Sequence, residues 1–279
     1  MSMSTGNWRA FDAAGHPLDG LDGNDRGLAY GDGVFRTLPV RRGRPQCWRL
    51  HYGKLARDCA ALAIPCPPIE VLTMELAQLA RNAADFAAKI IVTRGAGARG
   101  YAPPQPASPT HIVMSAALPD YPPEFSRAGI RAHLCTTRLS FQPRLAGVKH
   151  LNRLENVLAR AEWNDSGVPE GVVLDGEDHV IGGTMSNLFI VEGDALVTPD
   201  LSRCGVAGVT RDRIMGAAVR HGMACSEEPI PRERFLEAQE ALLVNSLIGA
   251  WQVGACAGRS WKEGTVTGRV REWLDEEVG

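Results

Sequence analysis

The chain has 279 residues, of which 44% are hydrophobic and 22% are charged. This length and composition are typical of a folded protein of one or two domains, and they exclude collagen-like, low-complexity and disordered classes. Thirty Lys and Arg residues against 32 Asp and Glu residues leave a formal charge of -2. A chain with this balance has no net positive field to hold nucleic acid or an anionic membrane, so we expect neither partner.

No segment of the sequence has the features of a membrane span or a secretion signal. The apolar stretch at 241–251 is interrupted by Asn245 and Ser246 and is shorter than the roughly 20 residues that cross a bilayer. The N-terminus has neither a basic region nor an apolar region after it, so we expect a cytoplasmic protein. The seven cysteines form no CxxC pair and no Cys/His cluster at zinc spacing. We interpret them as buried thiols in a reducing compartment, and we expect no metal site.

The first third of the chain mixes helices with strands. Apolar spacing and the prolines that follow predict a helix over 50–63, and a second helix is predicted from about 70 to 86. Residues 88–93 and 111–116 read as strands joined by a proline-rich loop. The composition shifts at 120–129, so we predict two domains, 1–120 and 121–279.

The second part alternates strands and helices. A helix is predicted over 150–163, with an apolar stripe that packs on one side. Three further strands are predicted at 171–175, 188–191 and 195–197. A second helix is predicted over 211–221, with Thr210 as its N-cap and Gly222 at its end.

The glycines of the first domain match a dinucleotide-binding pattern only in spacing. Gly95, Gly97 and Gly100 satisfy GxGxxG, but Tyr-Ala-Pro-Pro-Gln-Pro follows where that fingerprint needs a helix. The chain also lacks GxxxxGK[ST], GxSxG and HExxH strings, so nucleotide-binding, hydrolase and metalloenzyme interpretations lose their usual support.

Four motifs occur in an informative order. They are DRGLAYGDGVFRTL (25–38), RGAGARGY (94–101), LAGVKHLNRLENVLAR (145–160) and GTMSNLFIV (183–191) followed by TPDLSRCGVAGVTRDRI (198–214). Together they resemble the class IV pyridoxal-phosphate enzymes, the D-amino-acid and branched-chain aminotransferase fold type. The KHLNRLE and RGAGARGY strings are similar to the 4-amino-4-deoxychorismate lyases within that group. The resemblance implies a two-domain α/β fold with the cofactor between the domains, and a homodimer.

Lys149 is the candidate reactive residue. The apolar segment 145–148 precedes it, which favours a partly desolvated amine, and burial lowers the pKa of a lysine. From the residues alone, a solvated lysine before a helix is the alternative. The resemblance implies that Lys149 forms the Schiff base with pyridoxal 5'-phosphate and moves protons. It also places Thr37 close to the reacting carbon.

The resemblance assigns further residues to the cofactor phosphate. Glycines at 205 and 208 and the helix after them offer free N–H groups that attract phosphate. The expected cofactor-binding residues besides Lys149 are Lys54, Val209, Thr210, Asn245 and Ser246. A plain capped helix, an ordinary strand end and a solvated helix lysine are the structural alternatives at these positions. Lys54 stands where the family usually has arginine, and lysine supplies the charge without the bidentate fork.

A substrate with two carboxylates needs cations, and the sequence offers several candidates. Arg94 and Arg99 flank the glycine-rich string, although an exposed charged loop would look the same. Arg153 follows Lys149 by four residues, so on a helix it would face the same pocket. Tyr30 lies in the first motif. Asp25 and Arg26 are interpreted as a structural turn.

One position departs from the family pattern. The residue five before the Asn of the SNLF string is usually a glutamate that pairs with the pyridine nitrogen of the cofactor, and here it is Gly182. A carboxylate there would keep the ring protonated and favour electron withdrawal from the substrate carbon. Aromatisation of the product would let a lyase tolerate a weaker electron sink, a hypothesis that predicts higher turnover for Gly182→Glu.

The function implied by the resemblance is conversion of 4-amino-4-deoxychorismate to 4-aminobenzoate and pyruvate by β-elimination, a reaction of folate biosynthesis. Two alternatives stay open. The chain could be an aminotransferase of D-amino or branched-chain acids, which needs a keto-acid acceptor. It could also be a cofactor-binding homologue with impaired catalysis, because of Gly182.

Overall fold

The computed structural model describes residues 8–12, 15–81, 83 and 85–276, and its architecture is mixed α/β. Residues 1–7, part of the segment on which the expectation of no secretion signal rests, lie outside the described residues. The chain divides into two compact units, one up to Pro119 with Val148–Asn152, the other from Asp120 to Gly147 and from Arg153 onward. None of the helices in the described ranges is long and apolar enough to span a bilayer.

The first unit is an antiparallel sheet with helices. Its described strands are β1 (Trp8–Phe11), β2 (Pro17–Leu18), β3 (Gly33–Arg41), β4 (Arg44–Pro45), β5 (Phe86–Thr93) and β6 (Thr110–Ala116). They lie in the order β2-β1-β6-β5-β3-β4. Its described helices are α1 (Arg26–Tyr30), α2 (Trp48–Ala61) and α3 (Ile69–Ala80). The predicted strands and the predicted helix over 50–63 are confirmed. The helix predicted from 70 to 86 ends earlier, because the chain enters β5 at Phe86.

The side chains of strand β3 alternate between the two faces of this sheet. Val34, Leu38 and Val40 are fully buried and pack with residues of α2 and α3 in one core. The intervening Phe35 and Thr37 are half-buried, as the alternation of side chains along a strand requires. The face that carries Phe35 and Thr37 is therefore the one that can hold functional groups.

The second unit is built on a larger sheet. Its described strands are β7 (Ile130–Leu139), β8 (Glu170–Asp175), β9 (Val180–Gly183), β10 (Asn187–Glu192), β11 (Ala195–Pro199), β12 (Cys225–Glu228), β13 (Glu240–Asn245), β14 (Gly249–Cys256) and β15 (Arg259–Ser260). The order is β12-β11-β10-β13-β14-β7-β8-β9, with β15 paired to β14. Its described helices are α4 (Pro123–Arg127), α5 (Leu154–Arg160), α6 (Val209–Arg220), α7 (Arg232–Glu237) and α8 (Thr265–Glu276). The strands predicted at 171–175, 188–191 and 195–197 are confirmed.

Two helix predictions in this part are wrong in their starts. The helix predicted over 150–163 is the shorter α5, because residues 149–151 pair with β3 instead of coiling. Its predicted buried stripe is also wrong, since Leu154, Val157 and Leu158 are 75%, 59% and 61% exposed. Helix α6 begins at Val209 with Gly208 as its N-cap, so Thr210 lies inside the first turn and is not the cap.

Candidate active site

Lys149 is fixed by its backbone in the first unit. Its carbonyl oxygen accepts a hydrogen bond from the Phe35 N–H at 2.9 Å, and its own N–H donates to Asp58 Oδ2 at 3.1 Å. His150 forms an antiparallel bridge with Val34, so the segment continues the sheet beyond the edge of β3. Lys149 is half-buried, with its Nζ 4.6 Å from the centre of the Phe35 ring. A lysine with a fixed backbone and a partly desolvated amine suits chemistry at that amine.

The carboxylate that anchors Lys149 belongs to a buried ion pair. Asp58 is 2% exposed on α2, and its Oδ2 also accepts from Arg36 Nη2 of β3. Lys54 is buried one helical turn earlier on α2. Lys54 is therefore not the solvated helix lysine that the sequence left open as an alternative. The contact of Lys54 with the cofactor phosphate stays a prediction.

The glycine-rich string is held by two arginines that share one carboxylate. Arg94 donates to both oxygens of Asp32 and to the carbonyls of Leu62 and Ala63. Arg26 donates from Nε to Asp32 Oδ2 at 2.8 Å and from its other nitrogens to the string's carbonyls. Although burial raises the pKa of Asp32, these guanidinium contacts lower it more.

These contacts sort the predicted substrate residues. Arg94 is 8% exposed, and its guanidinium donates to Asp32 and to backbone carbonyls. In the structure Arg94 therefore stabilises the glycine-rich string. Arg99 is exposed, and none of the described residues forms an ion pair with it. Tyr30 accepts a hydrogen bond from the Gly100 N–H at 3.1 Å, and its ring contacts the 83% exposed Tyr101. The substrate contacts of all three predicted residues stay predictions.

Arg153 does not stand in the predicted relation to Lys149. It was expected to lie one helical turn after the lysine, but Lys149 is paired with β3 and Arg153 is the N-cap residue of α5. Its Nη1 lies 3.5 Å from Asn156 Oδ1. The helical argument for a shared pocket is therefore wrong, because the two residues belong to no common helix.

The start of α6 in the second unit offers hydrogen-bond donors for an anion. The N-cap Gly208 makes no side-chain cap, so the first N–H groups of the helix, at Val209 and Thr210, have no intrahelical acceptor. The Thr210 hydroxyl lies 3.2 Å from the Ser246 hydroxyl. Two N–H groups, two hydroxyls and the positive end of a 12-residue helix dipole are a donor set that fits a phosphate.

Asn187, a residue that the sequence did not single out, shapes this donor set. Its Oδ1 accepts the Gly208 N–H at 3.0 Å and its Nδ2 donates to the Val206 carbonyl at 2.7 Å. A polar residue at the start of the apolar NLFIV strand was the available signal. Asn245 Oδ1 accepts the N–H groups of Leu247 and Ile248 and closes the turn after β13. Its contact with a phosphate stays a prediction.

The turn after Gly182 is closed around a buried carboxylate. Glu170 is fully buried and accepts hydrogen bonds from the N–H groups of Thr184 and Met185 and from the hydroxyls of Thr184 and Ser186. A Cβ added at Gly182 would meet the Ser186 carbonyl oxygen at 2.8 Å. The backbone is therefore formed for glycine here, and Glu170 is the second residue that the sequence did not single out. The sequence feature that could have pointed to Glu170 was a charged residue at the first position of the apolar strand β8.

No group of three or more His, Cys, Asp or Glu side chains that could hold a metal occurs within the described ranges. The cysteines are free thiols, but Cys47, Cys66 and Cys225 are half-buried where all seven were expected to be buried.

Comparisons with known proteins place this geometry in a family. The family model described as amino-transferase class IV matches residues 33–256. The chain is 33% identical over 225 residues to the aminodeoxychorismate lyase of Vibrio harveyi, covering 81% of this chain and 83% of that protein. It is 30% identical over 255 residues to a putative branched-chain-amino-acid aminotransferase of Methanocaldococcus jannaschii, covering 89% and 88%. The crystal structure of 4-amino-4-deoxychorismate lyase from Pseudomonas aeruginosa superposes with a TM-score of 0.90 at 43% identity, covering 96% of this chain and 98% of that one. The resemblance and the fold class predicted from the four motifs are confirmed.

Proposed function

The chain belongs to the class IV aminotransferase family, and on that premise we propose that it is a pyridoxal-phosphate-dependent lyase that converts 4-amino-4-deoxychorismate to 4-aminobenzoate and pyruvate. The observation that carries the proposal is the 43% identity to the Pseudomonas aeruginosa lyase over 96% of this chain. The fixed backbone of Lys149 supports it, because this chemistry needs one amine in a defined place.

The residues present fit the proposed cofactor. Val209, Thr210 and Ser246 would hold its phosphate, and Lys149 would hold its aldehyde carbon. When bound, pyridoxal phosphate supplies an aldehyde and an aromatic ring that accepts the electron pair left on the substrate carbon. Lys54 would add positive charge toward the phosphate.

The chain's own groups then have defined tasks. The Lys149 amine would take the proton from the ring carbon that bears the substrate amine. The bond to the pyruvate oxygen would then break at the adjacent ring carbon, and Lys149 or Thr37 would give a proton to the departing enolpyruvate. Thr37 suits this task because it lies one residue pair along β3 from Phe35, on the same sheet face. Arg99 would bind a substrate carboxylate, with Tyr30 beside it.

The assembly and location belong to the same proposal. Exposed Leu154, Val157 and Leu158 on α5 form an apolar face of the kind that a second copy covers, which supports a homodimer. The free thiols support a cytoplasmic location, as expected for this pathway step.

The test is an assay of the full-length protein loaded with pyridoxal phosphate and given 4-amino-4-deoxychorismate without any keto acid. We expect equal amounts of 4-aminobenzoate, measured by fluorescence, and pyruvate, measured with a coupled dehydrogenase. Lys149→Ala should lower the rate by about 10³-fold or more, whereas replacement of the exposed Lys262 should leave it unchanged. Product formation only after a keto acid is added would identify an aminotransferase, the activity that the 30% identical relative's name suggests.

A further inference from the structure

Lys89 is a charged residue in the middle of an apolar strand. It lies in the FAAKIIVT sequence of β5, half-buried, where its neighbours Ala88 and Ile90 are fully buried on the opposite face. In the sheet it stands directly opposite Thr37 of β3 and Met114 of β6. Residues opposite each other on paired strands project from the same face, so Lys89 shares the face of Phe35 and Thr37.

The amine of Lys89 and the amine of Lys149 contact the same aromatic ring. The Lys89 Nζ lies 4.9 Å from the centre of the Phe35 ring, and the Lys149 Nζ lies 4.6 Å from that centre. The two nitrogens are therefore no more than about 10 Å apart, within the reach of charge interaction in a partly buried setting.

The groups around the two lysines do not cancel the charge of Lys89. Burial lowers the pKa of Lys89, and none of the described carboxylates forms an ion pair with it. Arg36 of β3 and Asp58 of α2 pair with each other on the opposite face of the sheet, against which α2 packs, so neither shares the face of Lys89. The face that carries Phe35 and Thr37 therefore brings two lysine amines to one aromatic ring.

We propose that Lys89 is a positioning residue whose positive charge disfavours protonation of the Lys149 amine. A neutral amine is the form that reacts, because its lone pair attacks the aldehyde carbon, a C–N bond forms and water leaves. Lys89 would thereby increase the fraction of Lys149 that is ready to take up the aldehyde near neutral pH. The inference rests on the proposed role of Lys149 and adds a reason for its reactivity.

The chain offers a clean test, because Lys54, Lys89, Lys149 and Lys262 are its only lysines. The full-length protein, freed of aldehyde with hydroxylamine, is labelled with trace acetic anhydride at a series of pH values. Mass spectrometry of the peptides then gives the labelling of Lys149 relative to the exposed Lys262. In Lys89→Met the midpoint of the Lys149 curve should move up by about half a pH unit to one pH unit, the size expected for two charges within about 10 Å of each other in a partly buried setting.

Lys89→Arg is the matched control, because it keeps the charge and should keep the midpoint of wild type. Equal midpoints in Lys89→Met and wild type, or an equal rise in Lys89→Arg, would overturn the proposal. Circular dichroism checks folding, and Lys89→Gln replaces Lys89→Met if the latter does not fold. Labelling needs neither cofactor nor substrate, so a failure of the lyase assay leaves this result interpretable by itself.

Discussion

A single carboxylate oxygen of Asp58 receives both the Arg36 guanidinium and the backbone N–H of Lys149. Removing one partner of a buried ion pair leaves an uncompensated charge, which costs more than removing both. Asp58→Ala should lower the free energy of unfolding by about 3–5 kcal/mol, measured by urea denaturation. The double variant Arg36→Met/Asp58→Leu should lose less than Asp58→Ala. If its loss equals the sum of the two single losses, the pair has no such coupling.

Gly182 is the second residue whose replacement has a definite expected result. A Cβ there would lie 2.8 Å from the Ser186 carbonyl oxygen, so the backbone must shift to accept it. Gly182→Ala should therefore lower the free energy of unfolding by about 1–3 kcal/mol in thermal or urea denaturation. Gly53 on α2 is the control, because a Cβ there meets nothing within 4 Å and alanine should stabilise the helix by about 1 kcal/mol.

The same contact changes the expectation for Gly182→Glu. The family pattern alone predicts that a glutamate at this position raises turnover. Because the closed 182–186 turn has no room for its Cβ, we now expect that Gly182→Glu does not exceed the wild-type turnover in the lyase assay. A faster variant would show that this turn opens at low cost.

At the scale of elements, strand β7 carries an irregularity that an acid stabilises. The pairing of β7 with β8 shifts register between Leu134 and Arg138, and Glu162 accepts the N–H groups of Thr136 and Thr137 within that interval. Burial alone would raise the pKa of Glu162, but these N–H groups and the His133 ring outweigh it and lower the pKa to about 2. The carboxylate thus takes up backbone donors that the ladder leaves unpaired.

The pH dependence of this contact follows from the direction of the pKa shift of Glu162. A lowered pKa in the folded state means that the contribution is present above about pH 5 and is lost as the pH falls toward 2. Glu162→Gln should cost about 2 kcal/mol of unfolding free energy at pH 7, and the difference from wild type should shrink as the pH falls through that window. A difference that is constant with pH would contradict the assignment.

Helix α5 gives the prediction for the assembly. Leu154, Val157 and Leu158 share one helical face and are each more than half exposed. Val157→Glu should convert the proposed dimer to monomer in size-exclusion chromatography with light scattering, because a charge would be buried at the interface. Val219→Glu is the matched control, since Val219 is 77% exposed on α6. A wild-type monomer would refute the dimer itself.

For the whole molecule, periodicity predicted five buried strands, β5, β6, β8, β10 and β11, and the body of α2, because apolar spacing reports burial directly. It could not predict that residues 149–151 pair with β3, since this pairing joins positions far apart in sequence. The four motifs identified the family, whereas helix α6 begins at Val209, two residues before the predicted start. Asp58, Glu170 and Lys89 were missed because their tasks depend on neighbours from other elements, which spacing along one chain does not reveal.

The path of the chain has a consequence for dividing the protein. Val148–Asn152 belongs to the first unit, although it follows the first stretch of the second. A gene cut between codons 119 and 120 would give an N-terminal fragment whose β3 edge lacks its last partner. That fragment would expose unpaired backbone groups and tend to aggregate. Only with both pieces produced together would Lys149 regain its backbone pairing with β3.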